Sequence, residues 1–389
     1  MSNQNSGSDE SPDRQSSGRN SASSILVLEG DGIGPEITRA SVEVLSAADK
    51  LFGLNIEFKR ATIGFAALEA EGTTFSARTL ELAKACEGVL LGPVSHNEYP
   101  PVAEGGLNPS GELRKHLDLF ANIRPAFTRA AVPHPSRVPF DLVIVRENTE
   151  GFYADRSMFL GPGEYMPTPD VALSTRKVTR AASQRIAEEA FRLARLRRNK
   201  VTAVHKANVL RISDGLFLGV VREVAARFPE VAYEEQLVDA MAALLVRDAS
   251  QFDVIVATNM FGDILSDEAS ELAGSLGLGA SLNLGATYAV AQAQHGSAPS
   301  IAGKDLANPY ALIASTAMML DWLGSRRERN DLLLAAREIR QALDGAIDDP
   351  ATRTRDLGGT LGTKAFTRAV IAKMEASNGQ QRKLGSAAE

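Results

Sequence analysis

Short apolar runs, ILVL, GVLL, LVIV, VTAV and VIVA, recur along this chain, and polar or glycine-bearing residues and a helical pattern follow most of them. Such β-branched runs read as buried strands, and their alternation with helices argues an α/β fold with a parallel sheet and crossover helices. The first unit sets Ile25 to Leu28 as a strand, a tight turn through Gly30, Gly32 and Gly34, and a helix from Pro35 to about Leu51. A strand (Asn55 to Ala61), a helix (Phe75 to Cys86) and a strand (Gly88 to Leu91) follow. The glycine spacing is G-x-G-x-G, which departs from the G-x-G-x-x-G dinucleotide fingerprint.

At 389 residues the chain is long enough for about two domains and a sizeable core. A net charge of -6 gives no basic footprint for nucleic acid, and no apolar run reaches the ~18 residues of a membrane span. The single cysteine, Cys86, excludes an intrachain disulfide and fits a reducing, cytoplasmic setting. Residues 1–24 are Ser, Asn, Asp and Gly with almost nothing to bury, so a disordered tail is expected there. A frayed end is expected after Ala376, over 377–389.

The chemistry concentrates at the ends of the runs. DVIVATN leads into FGDILSD, where Asp263 and Asp267 are four residues apart and share a helix face just past a strand's carboxyl end. The pair is equally readable as a dipole-complementing cap with a solvated neighbour. Arg114, Arg124 and Arg146 fall at element ends, where each alone is an ordinary salt-bridge partner. Together they suit a di- or tricarboxylate, because the guanidinium fork matches a carboxylate. VTAVHKAN delivers His205, Lys206 and Asn208 to another strand end, and Asp239 sits at a strand-to-helix junction where it can equally be an N-cap. Lys206 is either a solvated loop lysine or one tuned for general-base work.

The strings GDGIGPE, LRKHLDLFANIRP, VRENTEGFY, VHKAN, VDAM, FGDILSDEAS, HGSAPSIAGKDLANP and DLGGTLGT occur in this order. Together they resemble the β-decarboxylating dehydrogenases, the isocitrate/isopropylmalate dehydrogenase family, over about Ile25 to Ala376. The resemblance implies a two-domain, non-Rossmann α/β fold, with 25–125 plus 278–376 as a large cofactor-binding domain and 126–277 as a small dimerisation and substrate domain. It implies NAD(P)-dependent oxidation of a 3-carboxy-2-hydroxy acid, then loss of the carboxylate, in a homodimer with shared sites. Arg114, Arg124 and Arg146 would bind substrate carboxylates, with Asn108 and Ser110 lining the selector segment. Asp239, Asp263 and Asp267 would hold Mg²⁺ or Mn²⁺, Lys206 would be the base, and Tyr153 would protonate C3. Asp239 and Lys206 would come from the neighbouring subunit. The dinucleotide would run along His295, Gly296, Ser297, Ala298 and Pro299, with Asn308 near the adenine and Asn208 near the nicotinamide.

The chain departs from the pattern in three places. Ser300 and Ile301 replace both the Asp of NAD users and the Lys and Tyr of NADP users, and Gly359 stands where NADP users offer an arginine. With no cation at these positions NAD is favoured, with NADP as the alternative. Gln292 stands in for the family's Glu. The strings as a whole lean toward the isopropylmalate branch, whereas Asn108 and Ser110 match the polar pair of isocitrate enzymes in exchanged order. An apolar isopropyl group gains little from such a lining, so 3-isopropylmalate and isocitrate types both stay open. Homoisocitrate and tartrate or malate enzymes are further alternatives. So is a catalytically silent regulatory subunit, although every acid, Arg, Lys and Tyr of the pattern is present. A zinc-dependent relative acting on a phosphorylated hydroxyamino acid would need a histidine cluster, which His96, His116, His134, His205 and His295 do not supply in sequence.

Overall fold

The computed structural model describes residues 22–153, 158 and 163–386. β1 (Ser23–Leu28), α1 (Gly34–Phe52) and β2 (Ile56–Ala61) make the first parallel crossover. Ser23 and Ser24 therefore belong to a strand, not to the expected tail, whose residues 1–21 lie outside the described ones. α2 (Phe65–Glu71) and α3 (Ala77–Lys84) precede β3 (Gly88–Leu91), which lines the other edge of β1. α2, held between Gly64 and Gly72, is too short to show a helical period in the sequence.

The middle of the chain runs α4 (Pro109–His116), β4 (Ala121–Phe127), β5 (Asp141–Glu147), β6 (Glu164–Thr168), β7 (Val171–Ser174) and α5 (Arg180–Arg195). It continues through β8 (Lys200–His205), α6 (Ser213–Ala225), β9 (Ala232–Leu237), α7 (Val238–Asp248), β10 (Val254–Ala257) and α8 (Asn259–Leu272). The last third holds β11 (Leu282–Leu284), β12 (Ala289–Gln292), α9 (Tyr310–Arg327), α10 (Asn330–Asp348) and α11 (Thr363–Ser386). α11 passes the expected end at Ala376; Ser377 Oγ donates to Glu338 Oε2 at 2.8 Å and ties it to α10.

One mixed sheet of ten strands, ordered β2-β1-β3-β12-β11-β4-β5-β10-β8-β9, organises the molecule. Strands from the first segment and the last third fill one half, and β5, β10, β8 and β9 fill the other. β4 joins them, antiparallel to both β11 and β5, so Pro125 lies inside a strand. Among the described residues β6 and β7 pair only with each other, and both are exposed along their whole length.

Side-chain alternation decides what each face does. In β5, Val143 and Val145 join the core beneath α5, while Leu142 and Ile144 join a second core with Leu265 of α8. Arg146 continues the second set, so it projects toward α8. By the same parity Arg124 of β4 lies with Ala126, on that face and opposite Ile123. Among the described residues no helix is long and apolar enough to cross a membrane.

Candidate active site

Gly262 brings α8 down onto β5. A Cβ at this position would stand 2.8 Å from the Cβ and Cγ of Arg146, so only glycine allows the helix to lie this close. Arg146 is then clamped by Asn259 Oδ1, which accepts from Nε at 3.0 Å and Nη2 at 2.7 Å, and its Nη1 pairs with Asp263. Arg124 Nη1 reaches Asp263 Oδ1 at 3.0 Å, Ser266 Oγ at 2.8 Å and Asp267 Oδ1 at 3.4 Å, while its Nε donates to Asn122 Oδ1. The helix begins at Asn259, so its first turn supplies the clamp.

These charges alter each other's protonation. Burial, then the neighbouring Arg146 charge, pulls Arg124 down to about 10, with Asp263 and Asp267 opposing. Burial raises the Asp267 carboxyl, and Asp263 adds to the rise while Arg124 opposes it. Asp263 and Asp267 therefore converge on the Arg124 guanidinium and favour its charge against burial and Arg146.

Arg114, Arg124, Arg146, Tyr153 and Asp263 line one cleft of about 250 Å³, together with Asn108 and Ser110. Asn108 caps α4, its side chain accepting from Gly111 N at 3.2 Å, so the selector residue also orients the helix that carries Arg114. Ser110 Oγ donates to Gln292 Oε1 at 3.0 Å, giving that end of the cleft a polar wall. The Arg146 guanidinium stands 6.0 Å from the Tyr153 ring centroid.

His295 and Gly296 line the same cleft, and the loop they begin is pinned to the first glycine turn. Ile33 N donates to Ser297 O at 2.8 Å, and a Cβ on Gly32 would lie 2.0 Å from that oxygen. Gly32 also has φ +57, which a side chain would strain. Ser297 Oγ is taken up by Ser95 Oγ at 2.8 Å. Ala298 adopts a left-handed φ of 38°, and Pro299 starts a short turn after it. Burial lowers the His295 pKa and favours the neutral ring. Asn308, buried, donates to Asp356 Oδ2 at 3.0 Å, and Lys304 Nζ reaches back to Ser300 O at 2.8 Å. A cation thus stands beside Ser300 although none is adjacent in the loop sequence, because the intervening turn folds back.

Lys206, Asn208 and Asp239 lie elsewhere. Lys206 Nζ pairs with Asp239 Oδ1 at 2.5 Å, between β8 and β9 at the sheet's far edge, and Asn208 is exposed beside them. Asp239 sits in the first turn of α7, whose N-cap is Leu237, so it is not a cap. Among the described residues no three His, Cys, Asp or Glu side chains gather where they could hold a metal. Within one chain, then, two acids of the expected three meet.

Asn259, Ser266, Asn122 and Gln294 also belong to the site without having been singled out by sequence. Gln294 Nε2 donates to Asp267 Oδ1 at 3.4 Å, and Asn122 Nδ2 donates to Ser281 Oγ at 2.8 Å. The signal for Asn122 and Ser266 was strand and helix parity with the neighbouring Arg124 and Asp263.

The family model described as isocitrate/isopropylmalate dehydrogenase matches residues 24–371. The chain is 44% identical over 350 residues to the isocitrate/homoisocitrate dehydrogenase of Thermus thermophilus, covering 89% of this chain and 97% of that one. It is 40% identical over 354 residues to the 3-isopropylmalate dehydrogenase of Methanothermobacter thermautotrophicus, covering 90% and 98%. The solved isocitrate dehydrogenase from Methylococcus capsulatus is similar at a TM-score of 0.81 and 39% identity, covering 90% of this chain and 99% of that one.

Proposed function

This chain belongs to the isocitrate/isopropylmalate dehydrogenase family, and from that premise we propose that it oxidises and decarboxylates a tricarboxylic 2-hydroxy acid of the isocitrate or homoisocitrate type, with NAD as hydride acceptor. The observation that carries the reading is the convergence of Arg114, Arg124 and Arg146 on one cleft whose end wall is Asn108, Ser110 and Gln292. Three guanidinium groups against Asp263 and Asp267 leave one positive charge, and a divalent cation makes it three. Among the groups that this chain's own cleft supplies, a tricarboxylate balances this charge and a dicarboxylate does not.

Asp263 and Asp267 fit a divalent cation, since both Oδ1 atoms face Arg124 Nη1 and hard oxygen donors suit Mg²⁺ or Mn²⁺. Bound there, the ion would lower the pKa of the substrate hydroxyl and offset negative charge on its C2 oxygen. The open side of Gly296 and the pinned His295 to Pro299 loop fit a dinucleotide. NAD supplies the hydride acceptor, and the Asp356 carboxylate beside Asn308 disfavours an added 2′-phosphate, while Lys304 leaves NADP as the alternative.

Arg124 and Arg146 hold the substrate carboxylates against α8, so the hydroxyl is presented to the base. Lys206 removes the hydroxyl proton, and Tyr153 delivers a proton to C3 after carbon dioxide leaves. Lys206 is outside its own chain's cleft, so a second copy must supply it. The partner surface is apolar and lies next to these groups. Val209 and Ile212 follow Lys206, Val246 lies on the Asp239 helix, and Ile264 adjoins Asp263, all of them exposed. Tyr165, Met166, Val171 and Leu173 of β6 and β7 are exposed apolar side chains as well.

The experiment is a panel of isocitrate, homoisocitrate, 3-isopropylmalate, tartrate and malate with Mn²⁺ and either dinucleotide, followed by absorbance of the reduced cofactor. Tricarboxylates with NAD are expected to give the highest kcat/KM. No reduction with any acid would favour a silent regulatory subunit instead.

A further inference from the structure

Behind the Lys206 turn lies a buried carboxylate that the chemistry above does not use. Asp214, in the first turn of α6, is fully buried. Its Oδ2 accepts from the backbone N–H of Lys206 at 2.5 Å, and its Oδ1 pairs with Arg176 Nη1. Arg176, whose side chain is 8% exposed, also donates to Ser213 Oγ at 2.9 Å and to Thr258 Oγ1 at 3.0 Å. Thr258 is the N-cap residue of α8, and the Arg176 guanidinium stands 5.4 Å from the ring centroid of Phe261 on that helix.

A carboxylate in a helix's first turn has an ordinary use, complementing the dipole. That use would leave it in water. A largely buried ion pair is a poor source of stability but a good source of fixed geometry when its arms reach separate elements. Here one arm ends on the backbone of Lys206 and the other on the first residues of the helix that bears Asp263. We propose that Asp214 is a positioning residue for Lys206, and that Arg176 fastens it to the start of α8. The inference rests on the reading of Lys206 as the base. In the proposed dimer the Lys206 and Asp263 of one chain serve different sites, so the Arg176–Asp214 pair is the rigid span from one site to the other.

Asp214→Asn keeps the shape and the acceptor but removes the charge that holds Arg176. In the full-length dimer with Mn²⁺ and NAD, kcat is expected to fall about ten- to a hundredfold, with KM for the acid changed less than about twofold. In a Lys206→Ala background the same substitution should add no further loss to the residual turnover; additive losses would make Asp214 merely structural and overturn the proposal. Mixed dimers of Asp214→Asn with Asp263→Asn chains retain one site, with Asp263 from the Asp214→Asn chain and Lys206 from the chain whose Asp214 is intact, and that site should work normally. A slow mixed dimer would show that Asp214 acts through its own α8 and not through Lys206. If Asp214→Asn does not fold, Arg176→Lys, which cannot reach Ser213, Asp214 and Thr258 together, should show the same kcat loss; full kcat in that folded variant overturns the proposal. Full turnover in Lys206→Ala alone would bring down the reading of Lys206, and this inference with it. Loss there with none in Asp214→Asn refutes this inference alone.

Discussion

Lys206 and Asp239 form an ion pair with each other at 2.5 Å, at the ends of strands three and four places across the sheet from that of Arg124. On the proposed reading, their chemistry joins that of Asp263 across a chain boundary. Lys206→Ala and Asp263→Asn homodimers are therefore each expected to lose at least about a hundredfold in kcat. After subunit exchange at equal amounts, about a quarter of wild-type turnover should return, because half the dimers then hold one undamaged site. Native mass measurement must confirm the mixed species; no recovery in its presence would rule out shared sites.

Gly262→Ala forces a methyl against Arg146. A loss of about 1–3 kcal/mol in stability is expected from the overpacking, together with a rise in KM as the guanidinium leaves Asn259. Chemical denaturation and steady-state kinetics on the same preparation check both. An unchanged KM would mean that Arg146 is not held through this contact.

Asn108→Ala removes the α4 cap and is expected to cost about 1 kcal/mol. Ser110→Leu should instead leave stability nearly intact. It should lower kcat/KM for isocitrate by about a hundredfold relative to 3-isopropylmalate, since it exchanges a hydroxyl wall for an apolar one. Equal effects on both acids would show that this end of the cleft does not select the substituent.

His205 gives the protein an acid limb. Its Nδ1 accepts from Ala207 N at 3.0 Å, so the ring is neutral in the fold. Burial lowers its pKa, with Arg222 adding to the fall and Glu235 and Asp214 opposing it. Below the ordinary imidazole value of about 6.5 the unfolded chain takes up a proton that the folded chain resists, so stability falls as pH drops through that value and levels off below the folded pKa. Thermal melts between neutral and mildly acidic pH should show this, and His205→Asn, which keeps an acceptor without titrating, should flatten the limb. His295, whose pKa burial also lowers, contributes in the same sense.

Local pattern carried much of the fold. The run DLVIVRE announced β5, and its parity alone aims Arg146 at α8. What stayed hidden depends on contacts distant in sequence. The alternation of runs and helices cannot show that β4 and β11 turn antiparallel at the centre of the sheet, because pairing direction is set by neighbours far along the chain. VALSTRKVTR has the alternation of a long strand, yet the strand covers only Val171–Ser174, paired with β6, and Lys177 adds a single bridge to Gly151. In the site, the arginines and aspartates were legible as residue types at strand and helix ends. The clamp from Asn259, the Lys304 return to Ser300 and the Asp214 link were not, since amides, turns and buried acids have many ordinary uses.

Arg124 Nη1 touches Asp263 and Asp267 at once. It bridges two like charges on one helix face, so the carboxylates are held in place without any ion. On the proposed reading of a cation there, chelation is expected to stop turnover without unravelling the fold.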